Sequence, residues 1–245
     1  MKALVVAAGL GTRLRPLTDS IPKALVPING VPLLEHVCNK LISAGFDEII
    51  INVHHFADQI IEFVQTKKQF GIHIEISDER DQLLDTGGAI KKATWFFDDN
   101  QPFLVHNVDI ISTVNLNEMY QYHQTRHADA TLLTSDRPTN RYLLFDRAMQ
   151  LKGWTNIHTQ EVKSSFDQID ISALSRLAFG GIQIISPNLL KLMASWPDRF
   201  SVIDFYLSAA QYHSIISYQP MGISWFDVGK IESLQKVESW LSAHL

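Results

Sequence analysis

A single cysteine, Cys38, stands among 245 residues, so the chain cannot close an internal disulfide, and its neighbours Leu34, Val37 and Leu41 place that thiol on a packing face. Excess positive charge is also absent. The 21 lysines and arginines are outnumbered by 26 acidic residues, giving a formal charge of -5, and the isoelectric point is near 6.0. That balance excludes the basic surface that nucleic-acid binding requires. No apolar run approaches the roughly 18 residues that a membrane span needs, and the amino terminus lacks the ordered charged, apolar and cleavage regions of a signal peptide. These absences lead us to expect a cytoplasmic protein with neither nucleic acid nor membrane as partner. What remains is apolar material, 46% of residues, enough for one large core, and we expect a single domain over residues 1–245.

Apolar runs at Ala3 to Ala8, Glu48 to Val53, Ile72 to Ser77 and Pro102 to Ile110 alternate with stretches of helical spacing. In the first such stretch Leu33, Leu34, Val37, Leu41 and Ile42 share one face before Gly45 stops the helix. Similar stripes run from Ala57 to Lys67, Gly88 to Phe97 and Leu116 to His127. This is βαβ alternation, which predicts an α/β fold with a mainly parallel sheet covered on both faces. Beyond residue 128 the pattern is less regular. Strand-like runs at Ala130 to Thr134, Tyr142 to Phe145, Leu177 to Ile185 and Ile215 to Tyr218 are read as completing the sheet and an acceptor-binding lobe. Gln160 to Ser172 is read as a mobile loop, and Lys230 to His244 as a closing helix.

The net negative charge reverses locally at the amino terminus, where Lys2, Arg13, Arg15 and Lys23 face only Asp19. Here the first strand runs into Ala7, Ala8, Gly9, Leu10, Gly11 and Thr12, then Arg13, and later Pro22-Lys23-Ala24-Leu25-Val26-Pro27. A glycine turn after a buried strand lets backbone N–H groups approach an anion, and nearby cations neutralise more charge than N–H groups alone can. The turn is not a dinucleotide fingerprint, because Leu14 stands where a third glycine is needed and Asn52-Val53-His54 where an acid is needed. Nor is it a P-loop, since no Gly-Lys-Ser/Thr follows.

The run from Gly9 to Thr18, with Pro22 to Pro27, resembles the signature of the sugar-phosphate nucleotidyltransferases. The resemblance implies a Rossmann-like three-layer α/β/α fold with a mainly parallel mixed sheet, of the nucleotide-diphospho-sugar transferase type. It also implies a reaction in which a nucleoside triphosphate and a sugar 1-phosphate give a nucleotide sugar and pyrophosphate. On that basis Arg13 and Lys23 are the candidate catalytic cations. Ala7 to Arg13, Lys23, Asp85, Thr86, Gly87, Gly88 and Asn107 become candidate nucleotide-binding residues. The glycines after Asp85 and Thr86 are read as admitting a planar base, with capping of the helix by Asp85 or Thr86 as the alternative. The strand Phe103 to Asp109 and the segment Trp225 to Gly229 resemble the family's two acidic motifs, so Asp109 and Asp227 are the candidate ligands of Mg²⁺.

Asn140, Gly181 and Asp204 are the candidate acceptor-binding positions, with helix capping an equal reading of Asp204. Asn140-Arg141 and Lys152-Gly153-Trp154 lie where sugar or phosphate contact is open to them. His54 and His55, being adjacent, point opposite ways on a strand end and cannot chelate one ion together. One departure stands out: the family usually has glycine before its first metal aspartate, and Val108 occupies that place. We expect its bulk to narrow acceptor choice or impair catalysis. Among short family members the resemblance is greatest to uridylyltransferases acting on N-acetylmuramic acid 1-phosphate, then to mannose 1-phosphate guanylyltransferases. A non-catalytic nucleotide-sugar sensor or regulatory subunit, and a cytidylyltransferase, are the alternatives. Self-association into a homo-oligomer is left open.

Overall fold

The computed structural model describes residues 1–244. Strand β1 (Lys2–Val6) lies at the centre of a ten-stranded sheet. A short hairpin, β2 (Pro27–Ile28) and β3 (Val31–Pro32), leads into helix α1 (Leu33–Ser43) and strand β4 (Glu48–Val53). There follow α2 (Ala57–Thr66), β5 (His73–Asp78), α3 (Asp85–Lys92), β6 (Phe103–Asn107), the short β7 (Ile110–Ser112) and α4 (Leu116–Thr125). Strands β5, β4, β1 and β6 run parallel in that spatial order. This is the sheet that the apolar alternation predicted.

The second half is mixed. After α4 come β8 (Ala130–Ser135), β9 (Arg141–Phe145), β10 (Leu151–Asn156), β11 (Glu161–Lys163), β12 (Ser175–Ile185), α5 (Pro187–Met193), α6 (Val202–Ala209), β13 (Ile215–Tyr218), β14 (Trp225–Asp227) and α7 (Ile231–His244). The eleven-residue β12 carries the change of direction: it pairs antiparallel with β6 and β8 through its carboxyl-terminal part, and with β9 through Ser175 to Leu177. Strands β9, β10 and β11 then form an antiparallel wing.

Alternation along the central strands separates two cores. Ala3 and Val5 of β1, with Ile49 and Ile51 of β4, face one apolar cluster shared with α1, α2, α4 and α7. Leu4 and Ile50 face the other, shared with α3, α5 and α6. Each fully buried Leu or Ile contributes about 1.5 to 3 kcal/mol, which is why strands apolar on both faces sit in the middle layer. Helix α1 ends as its sequence predicts. Gly45 takes φ +82°, its N–H donates to the Ile42 carbonyl, and the Phe46 N–H reaches back to the Leu41 carbonyl.

Three expectations differ from the structure. Residues 160–172 are not a patternless loop: Glu161–Lys163 form β11, Ser164 donates to the Lys152 carbonyl, and Lys163 meets Asp204 at 3.2 Å. Three residues of alternation are too few to register in the sequence. The strand placed at Pro102 to Ile110 breaks after Asn107, with a turn at Val108 and Asp109 before β7. Asp204 does not cap α6; the Ser201 side chain does, accepting from the Ile203 N–H. Among the described residues no helix is long and apolar enough to cross a membrane.

Candidate active site

The glycine turn lies at the carboxyl-terminal edge of β1, where open α/β sheets bind ligands. Gly11 takes φ +67°, and a Cβ there would stand 2.9 Å from Thr18 Cγ2 and 3.1 Å from Lys23 Cβ. Both constraints demand glycine. The Thr18 hydroxyl donates to the Gly11 carbonyl at 2.8 Å and fixes the turn. Gly9, Leu10, Thr12 and Arg13 are exposed, and nothing lies within 4 Å of a Cβ built on Gly9. Ala7 and Ala8 are buried, and the Ala7 N–H is already spent on Asn52 Oδ1 at 2.7 Å.

From this turn the candidate residues close into a ring. Lys23, 9% exposed, packs under Gly11 and makes an ion pair with Asp109 Oδ2. Asp109 ends the turn before β7, whose neighbour is β14, with Asp227 in register with Ile110 and the Val228 N–H donating to the Asp109 carbonyl at 2.8 Å. Asp227 Oδ1 accepts from the Gly229 N–H at 2.8 Å. A Cβ at Gly229 would lie 2.8 Å from both the Arg13 guanidinium and Asp227 Oδ1, so the missing side chain leaves room for Arg13 to lie at the strand end. Two cations and two carboxylates, 214 residues apart from Arg13 to Asp227, thus meet around Gly11 and Gly229. Among the described residues no group of three or more His, Cys, Asp and Glu side chains could hold a metal ion. Two carboxylates are nevertheless a fitting donor set for a hard cation that completes its shell with substrate phosphate oxygens.

Beside the turn opens a cavity of about 210 Å³ lined by Gly9, Asn52, Glu79, Asp85, Thr86 and Arg199, among others. Neither Asn52 nor Glu79 stands out in the sequence. Asn52 is the one polar residue inside the apolar run of β4 and is 1% exposed. Its amide bridges the Ala7 N–H to Glu79, whose carboxylate also accepts from the Leu84 N–H. Burial pushes the Glu79 carboxyl above the ordinary range, and these hydrogen bonds oppose that shift. The nearby His54 is held by the Glu79 carbonyl through Nδ1 at 2.7 Å, a fixed loop contact.

The glycines after Asp85 pack against a distant part of the chain. A Cβ on Gly87 would fall 2.3 Å from the Phe200 ring, and one on Gly88 would fall 2.1 Å from the Asp198 carbonyl oxygen. Both N–H groups point at the Phe200 carbonyl. The glycines therefore admit the 198–200 segment, and their own N–H groups are taken up by the Phe200 carbonyl. Asp85 does not cap α3 from outside but begins it at φ +62°, and Thr86 Oγ1 accepts from the Val202 N–H. Both residues still line the cavity.

Val108 also corrects its expectation. It is 3% exposed, belongs to the apolar core beneath the sheet, donates its N–H to the Val6 carbonyl and is not at positive φ. Its side chain fills the core and presents no bulk to a ligand. Gly181 is likewise internal. It sits in the bulge of β12 at φ +73°, where a Cβ would meet Ile110 at 2.7 Å and the Asn107 amide at 3.1 Å. Asn140 is exposed before β9. Asp204 lies with Arg137, Trp154 and Phe179 on a second cavity of about 520 Å³ over the antiparallel wing.

The model of the family described as nucleotidyl transferase matches residues 2–143, from β1 through the first acidic motif. The chain belongs to the sugar-phosphate nucleotidyltransferase family. It is 31% identical to an N-acetylmuramate alpha-1-phosphate uridylyltransferase of Caulobacter vibrioides, over 98% of this chain and 96% of that protein. It is 28% identical to a mannose-1-phosphate guanyltransferase of Yarrowia lipolytica over 94% of this chain, yet spans 61% of that longer relative. In fold it is similar to UDP-glucose pyrophosphorylase complexed with UDP-glucose, with a TM-score of 0.79 at 17% identity over 100% of this chain and 99% of the other. For this nucleotidyltransferase, then, the ring of Lys23, Asp109, Asp227 and Arg13 is the place to look for phosphate chemistry.

Proposed function

We propose that the chain, as one nucleotidyltransferase domain over residues 1–245, joins UTP to N-acetylmuramic acid 1-phosphate, forming the nucleotide sugar and releasing pyrophosphate. The observation that carries the reading is the closed ring in which Arg13 and Lys23 meet Asp109 and Asp227 around Gly11 and Gly229. The choice of substrates is supported by the 31% identity to the Caulobacter vibrioides uridylyltransferase over nearly all of both chains.

In this reading an oxygen of the acceptor phosphate attacks the α-phosphorus of UTP. The bond from that phosphorus to the bridging oxygen breaks, and pyrophosphate leaves with its electron pair. No protein nucleophile is needed, and a phosphate monoester with second pKa of about 6 is already mostly dianionic at neutral pH. The obstacle is repulsion between two polyanions. The exposed Arg13 and the turn at Gly9 meet the triphosphate, while Lys23 neutralises charge at the junction with Asp109. Asp109 and Asp227 would hold Mg²⁺, which when bound supplies the positive charge that lets both phosphates share one site. The 210 Å³ cavity beside Gly9 takes the base, and the wing cavity takes the sugar.

The test is pyrophosphate release from each nucleoside triphosphate paired with a panel of sugar 1-phosphates and phosphocholine, with and without a chelator. UTP with N-acetylmuramic acid 1-phosphate should be the best pair, and chelation should stop it. Faster release from GTP with mannose 1-phosphate would replace the substrate assignment. Absence of release from every pair would favour a nucleotide-sugar sensor.

A further inference from the structure

One cation outside the ring has hydrogen-bonding capacity that the protein leaves unused. Arg137 follows β8 and is half-buried. Its guanidinium lies over the Trp225 ring at 4.0 Å and donates one N–H to the Phe179 carbonyl at 3.0 Å. Its Nε is buried with no partner. Among the described residues no carboxylate comes within salt-bridge distance of it; the acidic group that acts on it from farther off is Asp227. Burial without an acidic partner disfavours the charged form, and Arg137 is accordingly shifted below the ordinary arginine range. Two further cations line the wing cavity: Lys163 is paired with Asp204 at 3.2 Å, and Arg141 on β9 is exposed to water, so neither is a half-buried guanidinium in need of an anion.

Arg137 borders the 520 Å³ cavity, whose walls also include the Trp154 and Phe179 rings. Its stacking partner, Trp225, is two residues before Asp227 on β14, and the Trp225 indole N–H is fixed on the Gly180 carbonyl at 2.8 Å. Two strand residues span ~7 Å. An acceptor whose phosphate lies at the Asp227 end therefore extends along β14 toward Arg137, and the phosphate itself is met by Arg13 and Lys23 at the opposite end. A half-buried guanidinium with spare donors gains most from an anion, which restores the lost solvation through charge-assisted hydrogen bonds.

Resting on the sugar 1-phosphate reading above, we propose that Arg137 is a specificity-determining residue that receives a carboxylate carried by the acceptor sugar, remote from its 1-phosphate. Trp225 holds the guanidinium flat against the cavity wall, and the aromatic surfaces of Trp154 and Phe179 receive the apolar face of the sugar. The enzyme thereby selects acidic sugar phosphates over neutral ones.

The experiment measures kcat and KM for N-acetylmuramic acid 1-phosphate and for N-acetylglucosamine 1-phosphate, which lacks the lactyl carboxylate, with wild type, Arg137→Gln and Arg137→Lys. Direct calorimetric titration of both sugars accompanies it. Arg137→Gln should lower kcat/KM for the acidic sugar by about 10- to 100-fold, mainly through KM, and change the neutral sugar by less than about threefold. Arg137→Lys should recover part of the loss. An equal fall for both sugars would mean a phosphate or structural role and overturn the proposal, as would unchanged selectivity in the glutamine variant. If wild type turns over no sugar but still binds the acidic one more tightly in an Arg137-dependent way, the carboxylate site stands and the catalytic reading falls. Turnover without such preference overturns the carboxylate site and leaves the catalytic reading standing.

Discussion

Arg13 and Lys23 are equivalent phosphate cations in the sequence, and the structure makes them unequal in a measurable way. Arg13 is exposed, so Arg13→Ala should change stability by less than about 0.5 kcal/mol. Lys23 is 9% exposed, and its ion pair with Asp109 has side-chain exposures of 10% and 18%. Removing one partner of a buried pair costs about 3 to 5 kcal/mol, and the partial access to water here reduces that to about 2 to 3 kcal/mol for Lys23→Ala. The cost is mainly that of stranding the Asp109 charge, so Asp109→Asn placed on top of Lys23→Ala should restore part of it. The coupling should be at least about 1 kcal/mol. Urea unfolding of wild type, both singles and the double gives the cycle. Both alanine variants should also lower pyrophosphate release, by roughly ten- to hundredfold for a lost charge-assisted contact of about 1.5 to 3 kcal/mol. A cost below about 0.5 kcal/mol for Lys23→Ala, or strict additivity in the cycle, would refute the reasoning.

Asp227→Asn should remove most Mg²⁺-dependent turnover while leaving the melting temperature near wild type, and combined with Asp109→Asn it should be little worse than the worse single; multiplicative losses would argue against a shared ion. Gly88→Ala should destabilise by more than about 2 kcal/mol, because its Cβ would sit 2.1 Å from the Asp198 carbonyl oxygen; an unchanged denaturation midpoint would refute that packing argument. Val108→Gly should cost about 2 to 4 kcal/mol of stability through lost burial and backbone entropy and leave acceptor selectivity unchanged, as an acceptor panel would reveal. His123, with its ring nitrogens on Thr131 and Ser186, is held neutral by burial at a pKa of about 4. The unfolded chain takes up that proton near 6.5, so His123 should cost up to about 3 kcal/mol of stability as pH drops from about 6.5 to 4; the buried His106, also held near 4, acts in the same range, and His123→Gln should therefore remove about half of the slope in urea titrations at several pH values.

The parallel half of the sheet was legible because β1, β4 and β6 are apolar on both faces, which only a covered central strand can be. The glycine turn was legible because its cations, its two glycines and Lys23 lie within one short segment. What a missing Cβ makes room for was not legible. Gly11 and Gly229 are open for Lys23 and Arg13, whereas Gly87 and Gly88 are open for Phe200 and Asp198, and the difference lies in where distant parts of the chain are brought by folding. Val108 misleads for the same reason: a departure from pattern looks functional until its burial shows that the side chain is part of the core.

The proposed acceptor side was harder to read because a mixed sheet recruits its cavity from separate strands. Arg137, Trp154, Phe179 and Asp204 come from β8's exit, β10, β12 and α6; Asp204 and the segment containing Trp154 could be singled out in the sequence, whereas Arg137 and Phe179 belong to no recognisable run. The donor side is the reverse, since backbone N–H groups must follow one another along the chain to cradle an anion. Phosphate chemistry is common to every substrate of such a fold and is fixed by the contiguous segment, while sugar choice is left to side chains that only the folded sheet brings together. Trp225 joins the two, stacking on Arg137 two residues before Asp227. If the proposed sites hold, a sugar seated against Arg137 would be tied through Trp225 to the same strand as Asp227, so that selectivity and phosphate placement would be set along one backbone.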